Sequence, residues 1–318
     1  MANANGWGDG ASNNNIGWGK GADNAIGWGD IQADSYAGLT DIVGAPSFVG
    51  LLDTYSGASA AFSLRKLRTA YTGSAIRVRR SSDNAEQDFG FVSNVLDTAS
   101  LLTFCGVGNG FVTTWYDQSG NGYNASTSTA LNQPQVVASG AVIVENSKPS
   151  VKFDGSNDKL SGTTITGLGS TSFSVFTLSS GLSQAGTYAG LLNIGAVSTG
   201  MIISRSINNT GFALLQKNDV IITSAGTAPA TGYLPKLFTA TKEINVISRL
   251  FLNGVASTTS TAAAMIGTFT DANFDIGRTL SYALTLNGNI QEMVVYPTHQ
   301  PTNRANIETN INTFYSAY

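Results

Sequence analysis

An all-β sandwich preceded by a glycine- and tryptophan-rich arm is the fold class this sequence predicts. Three observations carry it. Charged residues are only 12% of the 318, against 42% hydrophobic ones, where a typical soluble domain carries about 25% charge. Strand-like segments recur every 8–15 residues beyond residue 130, separated by turns rich in Gly, Asn, Asp and Ser. Helical periodicity is confined to three short stretches. Many short, evenly spaced strands with little helix read as a sandwich or barrel.

The elements follow in order. Residues 1–35 stand apart: Gly6-Trp7-Gly8, Gly17-Trp18-Gly19 and Gly27-Trp28-Gly29 form a repeat, with Ile16 and Ile26 before the second and third units. Each unit offers one large ring against the conformational entropy of its glycines, so the repeat cannot build its own core. It reads as an arm, with residues 36–318 as the globular domain. Ser59–Tyr71 places Ala61, Leu64 and Leu67 near helical spacing and predicts a short helix. Ala75–Arg80 alternates as a strand, with Ile76 and Val78 on one face and Arg77 and Arg79 on the other. Asp97–Cys105 predicts a second helix capped by Asp97. Phe111–Tyr116 is a strand that ends in the loop Asp117-Gln118-Ser119-Gly120-Asn121-Gly122. Further strands are expected at Gln135–Val137, Ala141–Val144, Ser150–Phe153, Ser172–Leu178, Ala189–Ile194, Met201–Ser204, Phe212–Gln216, Val220–Thr223, Leu237–Thr241, Ser248–Leu252, Asn273–Ile276 and Asn289–Tyr296. Ile307, Ile311, Phe314 and Tyr315 then fall on one stripe, predicting an amphipathic helix within Pro301–Tyr315 that packs on the sandwich.

Composition also excludes. No apolar run approaches the ~18 residues of a spanning helix, so no membrane partner is expected. A net charge of −3 gives no general attraction to nucleic acid. One cysteine, Cys105, and one histidine, His299, rule out an internal disulfide and a Cys- or His-cluster metal site. No metal or cofactor is expected. The first residues carry neither a basic start nor an apolar core, so no signal peptide is expected and the chain is read as folding in a cytoplasm.

Several segments resemble known families. FDGSNDKL (153–160), RLFLNGV (249–255), FDIG (274–277) and GNIQEMVVYP (288–297) resemble the closing half of a concanavalin A-like or laminin-G-type jelly roll. The stretches at 63–92, 96–104 and 111–125, the last reading FVTTWYDQSGNGYNA, resemble the catalytic domain of fungal α-L-arabinofuranosidase B. The resemblance covers roughly residues 55–318 and implies a concanavalin A-like jelly-roll sandwich with short peripheral helices. Together with the arm and the last helix, the domain also resembles proteins of tailed bacteriophages. That likeness implies a virion protein: a head fibre, capsid decoration protein or tail adhesin, assembled in the host cytoplasm. Its expected partners are other capsid or tail proteins and copies of itself, a trimer being the favoured oligomer.

Two functions follow. In the first, Trp7, Trp18 and Trp28, with Ile16 and Ile26, dock the arm into the virion, because buried tryptophans make strong anchors. The sandwich then displays a lectin-like glycan site built from Trp115, Tyr116, Asp117, Gln118, Asn121 and Tyr123. Aromatic faces stack on sugars there, and Asn, Gln and Asp bond their hydroxyls. In the second, the domain is a glycoside hydrolase acting on surface polysaccharide. A retaining glycosidase needs two carboxyl groups about 5 Å apart. The arabinofuranosidase resemblance places the nucleophile near Leu215-Gln216-Lys217-Asn218 and the acid/base near Arg278-Thr279-Leu280. Neither stretch holds a carboxylate, although Asp219 and Asp275 lie close by. No catalytic residue is assigned on sequence, and the enzyme reading stays second. Asp117 is also read as a turn former, Asp154 and Asp158 as turn-stabilising, and Glu292 as a partnered structural acid. The cluster Arg65, Lys66, Arg68, Arg77, Arg79 and Arg80 is expected to pair with nearby Asp83, Glu86 and Asp88 or to form a subunit interface.

Overall fold

The computed structural model describes residues 48–182, 188–195, 200–206, 213–217, 220–225, 234–244, 246–256, 259–260, 268–278 and 285–318. The predicted arm and its five docking residues lie outside them. A compact unit spans Val49–Tyr318. In chain order it runs through α1 (Leu51–Thr54), β1 (Ala60–Ser63), β2 (Ile76–Arg80), β3 (Glu86–Phe89), α2 (Thr98–Cys105), β4 (Gly110–Trp115) and β5 (Ala125–Ser126). Then come β6 (Gln135–Ala138), β7 (Val151–Asp154), β8 (Leu160–Gly162), β9 (Phe173–Leu182), β10 (Tyr188–Ile194) and β11 (Met201–Ser206). The remainder is β12 (Ala213–Lys217), β13 (Val220–Ala225), β14 (Lys236–Glu243), β15 (Ile247–Leu252), β16 (Thr259–Ser260), β17 (Phe274–Ile276), β18 (Asn287–Tyr296) and α3 (Arg304–Tyr315).

Pairing sorts these strands into two antiparallel layers. The first layer has the order β3-β2-β4-β6-β7-β18-β9-β14-β15, with β1 on β18 beyond the end of β7. The second runs β5-β8-β17-β10-β11-β12-β13-β16. The layers are continuous where β4 pairs with β5. Strand alternation sends one set of side chains inward from each layer. Val78, Val112, Val151 and Ile290 of the first meet Leu160, Leu192, Ile203 and Ile276 of the second in one buried core. Phe62 of β1 touches Phe274 of β17 across it, with ring centroids 5.8 Å apart. This is the expected jelly-roll-type β-sandwich.

A second apolar cluster lies on the outer side of the first layer. Ile307, Ile311 and Tyr315 of α3 cover Phe176 and Leu178 of β9 and Val294 and Tyr296 of β18. The predicted stripe on α3 is the face that docks. α2 also forms as expected, with Ser100 N donating to Asp97 Oδ1 at 3.0 Å as the cap. Cys105 ends it, buried.

The segment Ser59–Tyr71 is not a helix. Its first part is β1, hydrogen-bonded to β18, and the rest is irregular chain. All four residues of β1 are buried: Ala60 and Phe62 face the inter-sheet core, and Ala61 faces the cluster under α3. A strand covered on both faces has no alternation to show, so weak helical spacing was the only pattern left to read. Among the described residues no helix is long and apolar enough to cross a membrane.

Candidate functional site

The loop after β4 was expected to hold a ligand, and the structure uses most of it as an internal clasp. Asp117 is buried and its two carboxylate oxygens accept four hydrogen bonds. The donors are Ala61 N at 2.8 Å, Ser119 N at 2.8 Å, Ser119 Oγ at 2.7 Å and Tyr123 N at 3.0 Å. Gln118 is fully buried. Its Oε1 accepts from Leu67 N, and its Nε2 donates to the carbonyls of Ser63 and Arg65. Asn121 Nδ2 donates to the carbonyls of Ala58 and Ser59. Trp115 lies in the core against Phe62, with ring centroids 6.0 Å apart. Glycine is required at residue 120: φ is +97°, and a Cβ there would sit 2.7 Å from the Arg68 guanidinium.

Trp115, Asp117 and Gln118 are therefore removed from the expected ligand group. Trp115 is taken up by the core, and the polar capacity of Asp117 and Gln118 is spent tying β1 to the end of β4, because irregular chain beside a buried strand must find partners for its backbone. Tyr116 and Tyr123 are partly exposed, and Asn121 is exposed. Tyr116 OH donates to Asp88 at 2.7 Å. Nearby, Arg77 pairs with Glu86 at 2.9 Å and Asp88 at 3.5 Å, and Arg80 with Asp83 at 2.7 Å, as the sequence suggested.

Glu292 is a structural acid. It is buried beneath α3 and takes the Arg65 guanidinium in a fork, Nε at 2.7 Å and Nη2 at 2.8 Å. Ser63 Oγ adds a third bond at 2.8 Å, and Tyr315 OH lies 3.2 Å away. Burial first, and then the Glu292 charge, hold the Tyr315 hydroxyl well above its ordinary pKa. Four hydrogen bonds on its two oxygens commit Glu292 to holding Arg65, Ser63 and Tyr315 together.

A different polar set lies on the outer face of the second layer. Phe274 and Ile276 point into the core, so Asp275 between them points out. The register places Ser161 opposite Asp275, then Asp275 opposite Asn193, Asn193 opposite Ile202, and Ile202 opposite Gln216. The row thus begins at β8 and reaches the β12 strand, where the resemblance placed a nucleophile. Gln216 is described only by its backbone position, and Asn218, Asp219, Thr279 and Leu280 lie outside the described residues.

Asp275 is 4% exposed. Its Oδ1 accepts from Ser161 Oγ at 2.5 Å, and Lys159 Nζ stands 3.8 Å from the same oxygen. Asn193 is also buried; its Nδ2 donates to the Gly195 carbonyl at 2.9 Å, and its Oδ1 has no partner. Ser204 Oγ, buried on the next strand, has none either. A carboxylate, an amide oxygen and a hydroxyl with unused capacity on neighbouring strands form a set that can bond the hydroxyls of a sugar. Among the described residues no group of three or more His, Cys, Asp or Glu is placed to hold a metal. Sequence reading noted Asp275 only as misplaced, and it missed Ser161 and Asn193. Strand alternation marks each as outward, but their adjacency comes from pairing between segments far apart in the chain.

Comparison with known proteins agrees with this architecture. Residues 53–168 match the family model described as Alpha-L-arabinofuranosidase B, catalytic. A GH54 α-L-arabinofuranosidase soaked with a cyclic sulfate inhibitor is similar at a TM-score of 0.64 and 15% identity, over 83% of this chain and 64% of that one. An arabinofuranosidase complexed with arabinofuranosyl-α-1,2-xylobiose is similar at a TM-score of 0.62 and 14% identity, with the same coverage. This chain thus spans under two thirds of the length of those structures. No curated protein matches it.

Proposed function

We propose that the sandwich is a glycoside-hydrolase-type domain that acts on arabinofuranosyl groups of a polysaccharide. The observation that carries this reading is the arabinofuranosidase B catalytic model over residues 53–168, joined to the fold likeness over 83% of the chain. The outer face of the second layer is the site assigned to it. Asp275 supplies one carboxylate there, and Ser161 and Asn193 set its surroundings. Asp219, which follows β12 in sequence, is assigned the second acid that glycosidic cleavage requires.

The test is release of arabinose from arabinoxylan and of 4-nitrophenol from its α-L-arabinofuranoside. The full chain is expected to release both. Asp275→Asn, which keeps the oxygen that accepts from Ser161, is expected to lower the rate by about 10²-fold or more, the scale of a lost general acid or base. Unchanged rates in that variant would remove Asp275 from the reading. Absence of release by folded protein would leave the domain as a binding module.

The Gly-Trp-Gly repeat supports a second part of the proposal. Trp7, Trp18 and Trp28, with Ile16 and Ile26, anchor the chain to a larger assembly such as a phage particle, with the sandwich displayed from it. Loss of incorporation in a triple Trp→Ala chain is the expected result, and normal incorporation would sink the docking idea.

A further inference from the structure

We infer that the solvent face of the first layer carries a second glycan-binding groove, separate from the face that holds Asp275, and that its ligand is a neutral, hydroxyl-rich oligosaccharide. The groove has a volume of about 450 Å³. Its floor follows from strand register. Arg79 of β2 lies opposite Phe111 of β4, Phe111 opposite Gln135 of β6, and Gln135 opposite Lys152 of β7. Their chain neighbours Val78, Val112, Val136 and Val151 are buried in the core, so this row faces outward. Three inter-strand spacings make it about 14 Å long, room for a short chain of sugars rather than one ring.

The walls are built from two loops. Gln133 stands on one side, where its Oε1 accepts from Arg79 Nε at 2.7 Å and holds the guanidinium over the Phe111 ring, 4.8 Å from its centroid. On the other side, the turn after β7 brings Asp154 and Asp158 to the groove. Asp158 Oδ2 accepts from Asp154 N at 2.9 Å, and Asp154 Oδ1 accepts from Ser156 N at 2.8 Å and Asn157 N at 3.2 Å. The turn is thus stiff before any ligand arrives.

The lining selects the ligand class. Arg79 and Lys152 only donate, ionised carboxylates only accept, and the amides of Gln135 and Asn287 carry both a donor and an acceptor. An anionic ligand would meet the Asp154 carboxylate, and a cation would meet Arg79 and Lys152. A hydroxyl both donates and accepts, so a polyol answers the whole lining without an uncompensated charge. The stacked Arg79–Phe111 pair adds a flat platform of the kind sugar rings cover.

This inference rests on the glycan reading only for its choice of probe. The full chain, its Asp275→Asn variant and a Gln135→Ala/Lys152→Ala double variant are run by affinity electrophoresis in gels containing soluble arabinoxylan or polygalacturonate. Arabinoxylan is expected to retard the wild-type chain and Asp275→Asn alike. The double variant, altered only at outward-facing positions, is expected to bind about tenfold more weakly, the loss of two hydrogen-bonding side chains, while its hydrolysis rate stays within twofold. Three results would overturn the groove: equal retardation of wild type and double variant, retardation lost in Asp275→Asn, or retardation by polygalacturonate alone. Retardation without hydrolysis would keep the groove and remove the catalytic proposal. Hydrolysis without retardation would do the reverse.

Discussion

Asp158 shows how one side chain can couple the groove to stability. It is buried beside Asp154, and burial first, then the neighbouring carboxylate, push its pKa up to about 7. An unfolded aspartate titrates near 3.9. Between those values the folded chain keeps a proton that the unfolded chain has released. The favourable contribution is therefore full below about pH 4 and is lost as pH rises through 7. Asn in place of Asp keeps an oxygen for the Asp154 amide and has no charge to bury. Asp158→Asn is expected to match the wild type near pH 4 and to be the more stable protein at pH 8. Water in the groove screens the pair, which holds the gain to about 1–2 kcal/mol. Urea unfolding at several pH values checks this, and parallel pH curves for the two proteins would sink it.

The elements differ in how far local sequence determines them. α3 was legible because Ile307, Ile311 and Tyr315 repeat at helical spacing beside polar neighbours, and that stripe is buried against β9 and β18. Ile311→Ala is expected to cost about 2–4 kcal/mol, the cavity and transfer terms of a buried aliphatic truncation. The loss is expected to be cooperative, because α3 also roofs the Arg65–Glu292 pair; a midpoint shift in denaturant measures it, and a change under 1 kcal/mol would show that the helix is only loosely docked. β1 was illegible for the opposite reason: core on one side and α3 cluster on the other leave no alternation. The loop after β4 was legible as a special place, through its Asp, Gln and glycines, but not in its use. Residue types do not say whether an Asp turns toward solvent or toward the amide of Ala61, 56 positions earlier. The Ser161–Asp275–Asn193 row was harder still, because it exists only through pairing of β8, β17 and β10.

At the scale of the whole molecule, each layer of the sandwich has an inner face given to the core and an outer face that the core does not use. The first layer uses part of its outer face to seat α3 and leaves the Arg79–Lys152 row open. The second places Asp275 and Asn193 on its own outer face. Val49–Tyr318 is a compact unit in itself. Three tryptophans among glycines have the composition of anchors, and anchors need pockets elsewhere. That argument makes a prediction about mass. A chain starting at residue 37 is expected to unfold with the same cooperativity as the full chain, because the core residues named above all lie beyond residue 48. By light scattering after size exclusion, the full chain is expected to be a defined oligomer, a trimer being the favoured form, and the shortened chain a monomer. An oligomer that survives the deletion would move the interface onto the sandwich. Monomers in both cases would exclude self-assembly through Trp7, Trp18 and Trp28 and leave a different protein as the partner those rings require.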